Sequence, residues 1–129
     1  MDTNIILDAH KKNTGKLEIV PTVSSSTKED LSIIYTPGVG KVCEIIAENE
    51  DMAKEYTISG KTLAVISNGT AVLGLGNIGA KASLPVMEGK CVLFKEFGGI
   101  NAYPIVIDEK DPVKLAEIIK AIFLISFLV

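Results

Sequence analysis

Thr62-Leu63-Ala64-Val65-Ile66-Ser67, then Asn68-Gly69-Thr70-Ala71, then Val72-Leu73-Gly74-Leu75-Gly76-Asn77-Ile78-Gly79, is the stretch whose reading decides the fold. Leu63 to Ile66 are apolar without the alternation of a half-solvated strand. They read as a strand buried on both faces, the kind found in parallel sheets covered by helices. Asn68-Gly69 is the sharpest turn signal in the chain, and a glycine-rich loop follows it. Residues 80–84 read as helical, and Pro85 suits the first turn of a new helix reaching about Phe97, where Gly98-Gly99 stops it. Ala102 to Ile107 reads as a second strand with Pro104 near its start. Asp111 then caps a helix with Pro112 at its first position, running to about Ala121. Strands and helices alternate, so an α/β architecture is expected. There is no internal repeat and no linker.

Upstream of that stretch, residues 2–13 suit a short helix ending near Asn13-Thr14-Gly15. Lys16 to Val20 alternates polar and apolar, which predicts a strand that Pro21 ends. Thr27 is a good helix cap with Asp30 three residues on, a weaker partner than Glu for a capping box. A helix is expected from there through Leu31, Ile33 and Ile34 to Tyr35, broken by Pro37-Gly38. Val39, Val42, Ile45 and Ile46 repeat at helical spacing, and Glu48, Glu50, Asp51 and Glu55 read as a solvated face.

The bulk composition sets the outer limits. The chain has 129 residues, enough for one domain with a proper core. With 5% aromatic residues and no Trp, aliphatic side chains must fill that core. A net charge of −3 gives no basic footprint for nucleic acid, although it does not exclude an anionic substrate. Cys43 and Cys91 lie in apolar stretches without a metal-ligand pattern, so both read as buried, reduced thiols. No long apolar run opens the chain, which points to a cytoplasmic protein without a membrane partner.

Gly74, Gly76 and Gly79 spell G-x-G-x-x-G, which invites a dinucleotide-binding reading. That reading needs a strand just before the glycines, a long helix just after, and a carboxylate at the end of the next strand. Here Asn68-Gly69-Thr70 intervenes, Pro85 interrupts the helix, and Glu96 falls in helix. A tight loop for close backbone approach is the plainer alternative.

Two other places carry chemistry. Tyr35-Thr36-Pro37-Gly38-Val39 sets a Tyr at a helix end, and Met87-Glu88-Gly89-Lys90 sets a Lys in an apolar helical run. Taken singly, Tyr35 is a rim phenol and Lys90 a snorkelling surface Lys. A buried Lys beside a Tyr would be a usable base.

Together these segments resemble malic enzymes, specifically the short-subunit bacterial type. The resemblance rests on Gly15-Lys16, Tyr35 to Val39, Val65 to Gly79, Pro85-Val86-Met87-Glu88-Gly89-Lys90, Val92-Leu93-Phe94-Lys95 and Asp111-Pro112. It spans roughly residues 9 to 121. It implies oxidation of malate by NAD or NADP with Mg2+ or Mn2+, releasing carbon dioxide and pyruvate, in a dimer. It further implies that Lys90 is the general base, touching the substrate, and Tyr35 the general acid. The glycine run then belongs to the catalytic half of the family, with Gly74, Gly76 and Gly79 offering at most backbone contacts to the cofactor.

There are departures. Longer malic enzymes carry an Arg for the substrate carboxylate where this sequence has Ala71, as short-subunit relatives also do. The contact must come from elsewhere, and the Asn68-Gly69-Thr70 turn is the candidate. Asn101 sits where an Asp would fit. The family's metal-binding carboxylates follow the helix that starts near Asp111; Asp108, Glu109 and Asp111 are acidic but misplaced in motif order, so no metal ligand is assigned. From about Ile122 the sequence turns into Phe-Leu-Ile-Ser-Phe-Leu-Val, which suggests a frameshift or premature stop. The expected division is a malic-enzyme N-terminal domain over 1–121 and a divergent apolar tail over 122–129, inactive alone and prone to self-association through the tail. The rivals are a non-catalytic remnant or dimerisation module, and a small stand-alone nucleotide-binding protein.

Overall fold

A computed structural model describes residues 1–122 and the backbone of 126–128. The chain divides into two compact units, one of residues 18–60 and one of residues 1–17 with 61–129.

The smaller unit is helical. Helix α2 spans Lys28–Ile34, α3 spans Val39–Glu48, and after a short 3-10 turn α4 spans Ala53–Tyr56. The Thr27 box is complete: the Asp30 N–H donates to Thr27 Oγ1 (3.0 Å) and the Thr27 N–H to Asp30 Oδ2 (3.2 Å). Two orphan donors at the helix start are thereby satisfied. Gly38 follows as a steric necessity, because a Cβ there would lie 2.6 Å from the carbonyl oxygens of both Ser32 and Ile33. The strand expected over Lys16–Val20 does not form. Its alternation is real, but Leu17, Ile19 and Val20 are exposed and no strand pairs with them among the described residues.

The larger unit holds helix α1 (Thr3–Lys11), strand β1 (Thr62–Ser67), helix α5 (Ala80–Gly98), strand β2 (Asn101–Val106), helix α6 (Pro112–Ala121) and strand β3 (Ser126–Leu128). The sheet is parallel with order β2-β1-β3. β1 is central, with Thr62 opposite Asn101, Ser67 opposite Val106, and Leu63 opposite Ser126. This accounts for the unbroken apolar run of β1, where Ala64, Val65 and Ile66 are all buried. β2 is an edge strand. The Ile107 N–H donates to the Ser67 carbonyl (2.9 Å), so by alternation position 104 turns its nitrogen away from β1, where Pro104 forfeits no ladder bond.

Pro85 does not start a new helix. It is the sixth residue of one helix of 19 residues. The carbonyl that loses its donor belongs to Lys81, which is exposed and can take water instead. Ala80, Ser83, Met87 and Cys91 mark the buried face of α5. Met87 and Cys91 pack with Val65, and Val86, Phe94, Ala102 and Val106 close around them. Gly99 ends the helix in the left-handed conformation (φ +66°), as the Gly-Gly pair predicts. Asp111 caps α6 through the N–H groups of Val113 (2.8 Å) and Lys114 (3.1 Å).

Two further expectations change. Cys91 is buried but Cys43 is exposed, since α3 buries no side chain. In the tail, the sequence reading assigns no element, yet Ser126–Leu128 pairs with β1. Residues 123–125 and 129, and the apolar side chains beyond Ile122 on which self-association was argued, lie outside the described residues. No helix of the described residues is long and apolar enough to cross a membrane.

Candidate active site

Tyr35 closes α2. Its N–H donates to the Leu31 carbonyl (3.0 Å), and its own carbonyl accepts from the Val39 N–H (2.7 Å). The Tyr35–Val39 turn is therefore fixed by backbone bonds, while the Tyr35 side chain is 69% exposed. The backbone at Tyr35 is thus held in place while its phenol is left exposed.

Lys90 belongs to the other unit, on α5. It is exposed and makes no ion pair or side-chain hydrogen bond among the described residues. Its neighbours Met87 and Cys91 are held in the core, so the helix that carries it is anchored. The N-terminal segment adds a second anchor. Lys16 Nζ donates to the Pro85 carbonyl (2.8 Å), the Lys16 N–H donates to Glu88 Oε2 (3.2 Å), and a Cβ at Gly15 would sit 3.0 Å from Glu88 Oε1. Gly15-Lys16 was visible in the sequence only as part of the family resemblance. Its role as a clasp spans some 70 residues and has no local signal.

The glycine loop leads from the carboxyl end of β1 into α5. It is braced from within: the Gly69 carbonyl accepts from the N–H groups of Ile78 (3.1 Å) and Gly79 (3.2 Å), and the Val72 N–H donates to the Gly76 carbonyl (2.9 Å). The Gly79 N–H is thus occupied. Gly69, Gly76 and Gly79 have positive φ. Gly69 is also sterically obligatory, because a Cβ there would lie 2.1 Å from the Gly79 carbonyl oxygen, whereas Gly74, Gly76 and Gly79 have open space. Val72 anchors the loop in the core, and Leu73, itself at φ +49°, projects into solvent with Leu75. The close backbone approach is therefore made at Gly69, in the turn before the G-x-G-x-x-G motif, while a Cβ on the motif glycines themselves would meet nothing within 4 Å.

Asn68 and Thr70 form the turn at the end of β1. Asn68 Oδ1 accepts from the Thr70 N–H (3.2 Å) and hydroxyl (2.7 Å). Asn68 Nδ2 donates to the Glu109 carbonyl (3.1 Å), and the Gly69 N–H to Ser67 Oγ (3.0 Å). Asn101, the family departure, accepts from Lys95 Nζ (2.8 Å). Among the acidic residues near β2, Glu109 Oε1 accepts from the Asp111 N–H (2.8 Å) and Asp111 Oδ1 caps α6. Among the described residues no three His, Cys, Asp or Glu groups together could hold a metal ion. The described residues therefore do not by themselves fit a divalent cation.

The family model described as malic enzyme, N-terminal domain, matches residues 12–118. The chain is 53% identical over 108 residues to the NAD-dependent malic enzyme of Geobacillus stearothermophilus, covering 84% of this chain and 23% of that protein. It is 54% identical over 108 residues to the NADP-dependent malic enzyme of Haemophilus influenzae, covering 84% of this chain and 14% of that one. Among solved structures, the malic enzyme of Pyrococcus horikoshii superposes with a TM-score of 0.90 at 49% identity, over 92% of this chain and 28% of that chain. The NAD-dependent malic enzyme of Thermotoga maritima gives 0.87 at 43% identity, over 94% and 33%. The chain thus spans about a quarter or less of the length of these curated relatives.

Proposed function

Because the chain belongs to the malic enzyme N-terminal domain family, we propose that it supplies the acid–base residues for oxidative decarboxylation of malate to pyruvate and carbon dioxide. The observation that carries this reading is the survival of both chemical motifs, Tyr35 to Val39 and Pro85 to Lys90, inside a segment about half identical to named malic enzymes.

Lys90 takes the proton from the malate C2 hydroxyl as the C2 hydride departs. NAD or NADP, when bound, supplies the hydride acceptor. Loss of carbon dioxide from the resulting oxaloacetate leaves the enolate of pyruvate, and Tyr35 returns a proton to its C3 carbon. A Lys acting as a base must shed water around its ammonium, so the exposed face of α5 at Lys90 has to be covered in the working enzyme. The Asn68-Gly69-Thr70 turn takes the place of the missing Arg at Ala71 in meeting a substrate carboxylate, and Gly74 and Gly76 approach the cofactor by backbone alone, the Gly79 N–H being bound to the Gly69 carbonyl. The family's Mg2+ or Mn2+ belongs to residues other than those described, and no step is assigned to it. Residues 1–121 constitute the N-terminal domain and 122–129 its divergent tail. The proposed setting is the cytoplasm, and the proposed assembly is a homodimer, supported by the exposure of Leu31 and Ile33 along α2.

The test is a chimera in which residues 12–118 replace the matching segment of the Geobacillus stearothermophilus enzyme. Malate-dependent NADH formation with pyruvate release is expected. Lys90→Ala and Tyr35→Phe should each lower kcat by about 10²–10⁴-fold. A folded chimera without turnover, or one indifferent to Lys90→Ala, overturns the proposal.

A further inference from the structure

The polar groups of the turn after β1 are not equally free. Gly69 is buried and its N–H is bound to Ser67. Asn68 is half-buried and bound three ways: two donors on its oxygen, and its amide nitrogen on the Glu109 carbonyl 41 residues away. Turning that carboxamide toward a ligand would break up to three hydrogen bonds. Thr70 is exposed. Its hydroxyl can rotate away while its N–H keeps Asn68 Oδ1 satisfied.

The bond from Asn68 to Glu109 also has a place in the topology. β1 and β2 are adjacent and parallel, so the loops that follow them leave the same edge of the sheet. One side chain ties those two loops together. β1 is also the strand at which the order reverses, its first connection running to β2 and the next returning to β3 on the other side. The crevice at the carboxyl ends of strands at such a reversal is where parallel sheets receive ligands.

We propose that the Thr70 hydroxyl is the group that meets a substrate carboxylate at this turn, and that Asn68 is its positioning residue, latching the turn to the loop after β2. This rests on the malate reading above and divides the labour within the turn.

The experiment uses the full 129-residue chain with L-malate as the probe. Binding is followed by NMR, amide exchange of residues 107–111 is read in the ligand-free chain, and thermal melts confirm folding. Thr70→Ser, which keeps the hydroxyl, should bind within about twofold of wild type, while Thr70→Val should bind about tenfold more weakly. Asn68→Ala should weaken binding by a similar factor. Asn68→Asp keeps an oxygen for Thr70 but loses the donor to Glu109, so residues 107–111 should exchange about tenfold faster in both Asn68 variants. If Asn68→Ala weakens binding and Thr70→Val does not, Asn68 is the contact and the assignment is overturned. Unchanged exchange at 107–111 removes the latch. If the wild-type chain does not bind L-malate, the Thr70 contact falls together with the substrate reading of the turn. Wild-type binding with indifferent variants sinks this inference alone.

Discussion

Gly69→Ala should be the most damaging single-methyl change in the glycine-rich stretch. The new Cβ would meet the Gly79 carbonyl oxygen at 2.1 Å, its carbon at 2.3 Å and the Ala80 nitrogen at 2.8 Å. Comfortable carbon contacts begin near ~3.5 Å, so the backbone has to separate by more than about 1 Å. Separation pulls the Gly69 carbonyl from the Ile78 and Gly79 N–H groups, now 3.1 and 3.2 Å away. Two such bonds contribute about 1 kcal/mol each, and a Cβ at φ +71° adds roughly 1–2 kcal/mol of strain. The sum is about 3–4 kcal/mol, or a fall in Tm of about 12–16 °C at roughly 4 °C per kcal/mol for a chain of this size. Urea and thermal unfolding followed by circular dichroism give both figures. Gly74→Ala is the paired control. Nothing lies within 4 Å of its Cβ, so it should stay within about 0.5 kcal/mol of wild type. A loss below about 1 kcal/mol at Gly69, or equal losses at the two positions, would refute the claim that close backbone approach explains Gly69.

Asp111→Ala removes the acceptor for the Val113 and Lys114 N–H groups and should cost about 1 kcal/mol in the same unfolding assay; no change would show that the cap is dispensable. A thiol reagent should modify exposed Cys43 quickly. Cys91 should react only in denaturant, because burial, and then the nearby Glu88 carboxylate, push its thiol above its ordinary value; two equal fast rates contradict the buried placement. The Ser24 hydroxyl, with Thr27 and Ser26 assisting, holds the Asp30 carboxyl below its ordinary 3.8. A lowered folded value stabilises the cap of α2 at neutral pH, and that contribution is lost as the pH falls through the folded value. An NMR titration of Asp30 with its midpoint at or above 3.8 speaks against the capping box.

The parts of the fold that follow from nearest neighbours could be read directly. Thr27, Asp111 and Gly99 announce helix ends because their chemistry acts within a few residues. Leu63 to Ile66 announce a central strand because burial on both faces leaves no room for alternation. The failures have the same physical root. Lys16 to Val20 has the rhythm of a strand but no partner among the described residues. Pro85 reads as a helix start because its one missing N–H cannot reveal that the helix continues past it, the carbonyl left without a donor belonging to an exposed residue, Lys81. Cys43 lies in an apolar run, and the exposure of α3 is a matter of packing. In the site, Tyr35 and Lys90 stand out only through the family's motifs. The bond from Asn68 to the Glu109 carbonyl has no local signal in the sequence, because it depends on how β1 and β2 pair.

The order in which the two units occur along the chain bears on how it can fold during synthesis. Residues 18–60 leave a ribosome before β1 exists, yet no side chain among them is buried. Helices of four to ten residues are marginal without tertiary support. Helix α1 emerges earlier still, and its adjoining Lys16 must wait for Pro85 and Glu88, 69 and 72 residues later. β1 follows with both edges open until β2 appears. The nascent polypeptide is therefore expected to stay protease-sensitive until about residue 106 has cleared the exit tunnel, and then to consolidate β1, α5 and β2 in one late step.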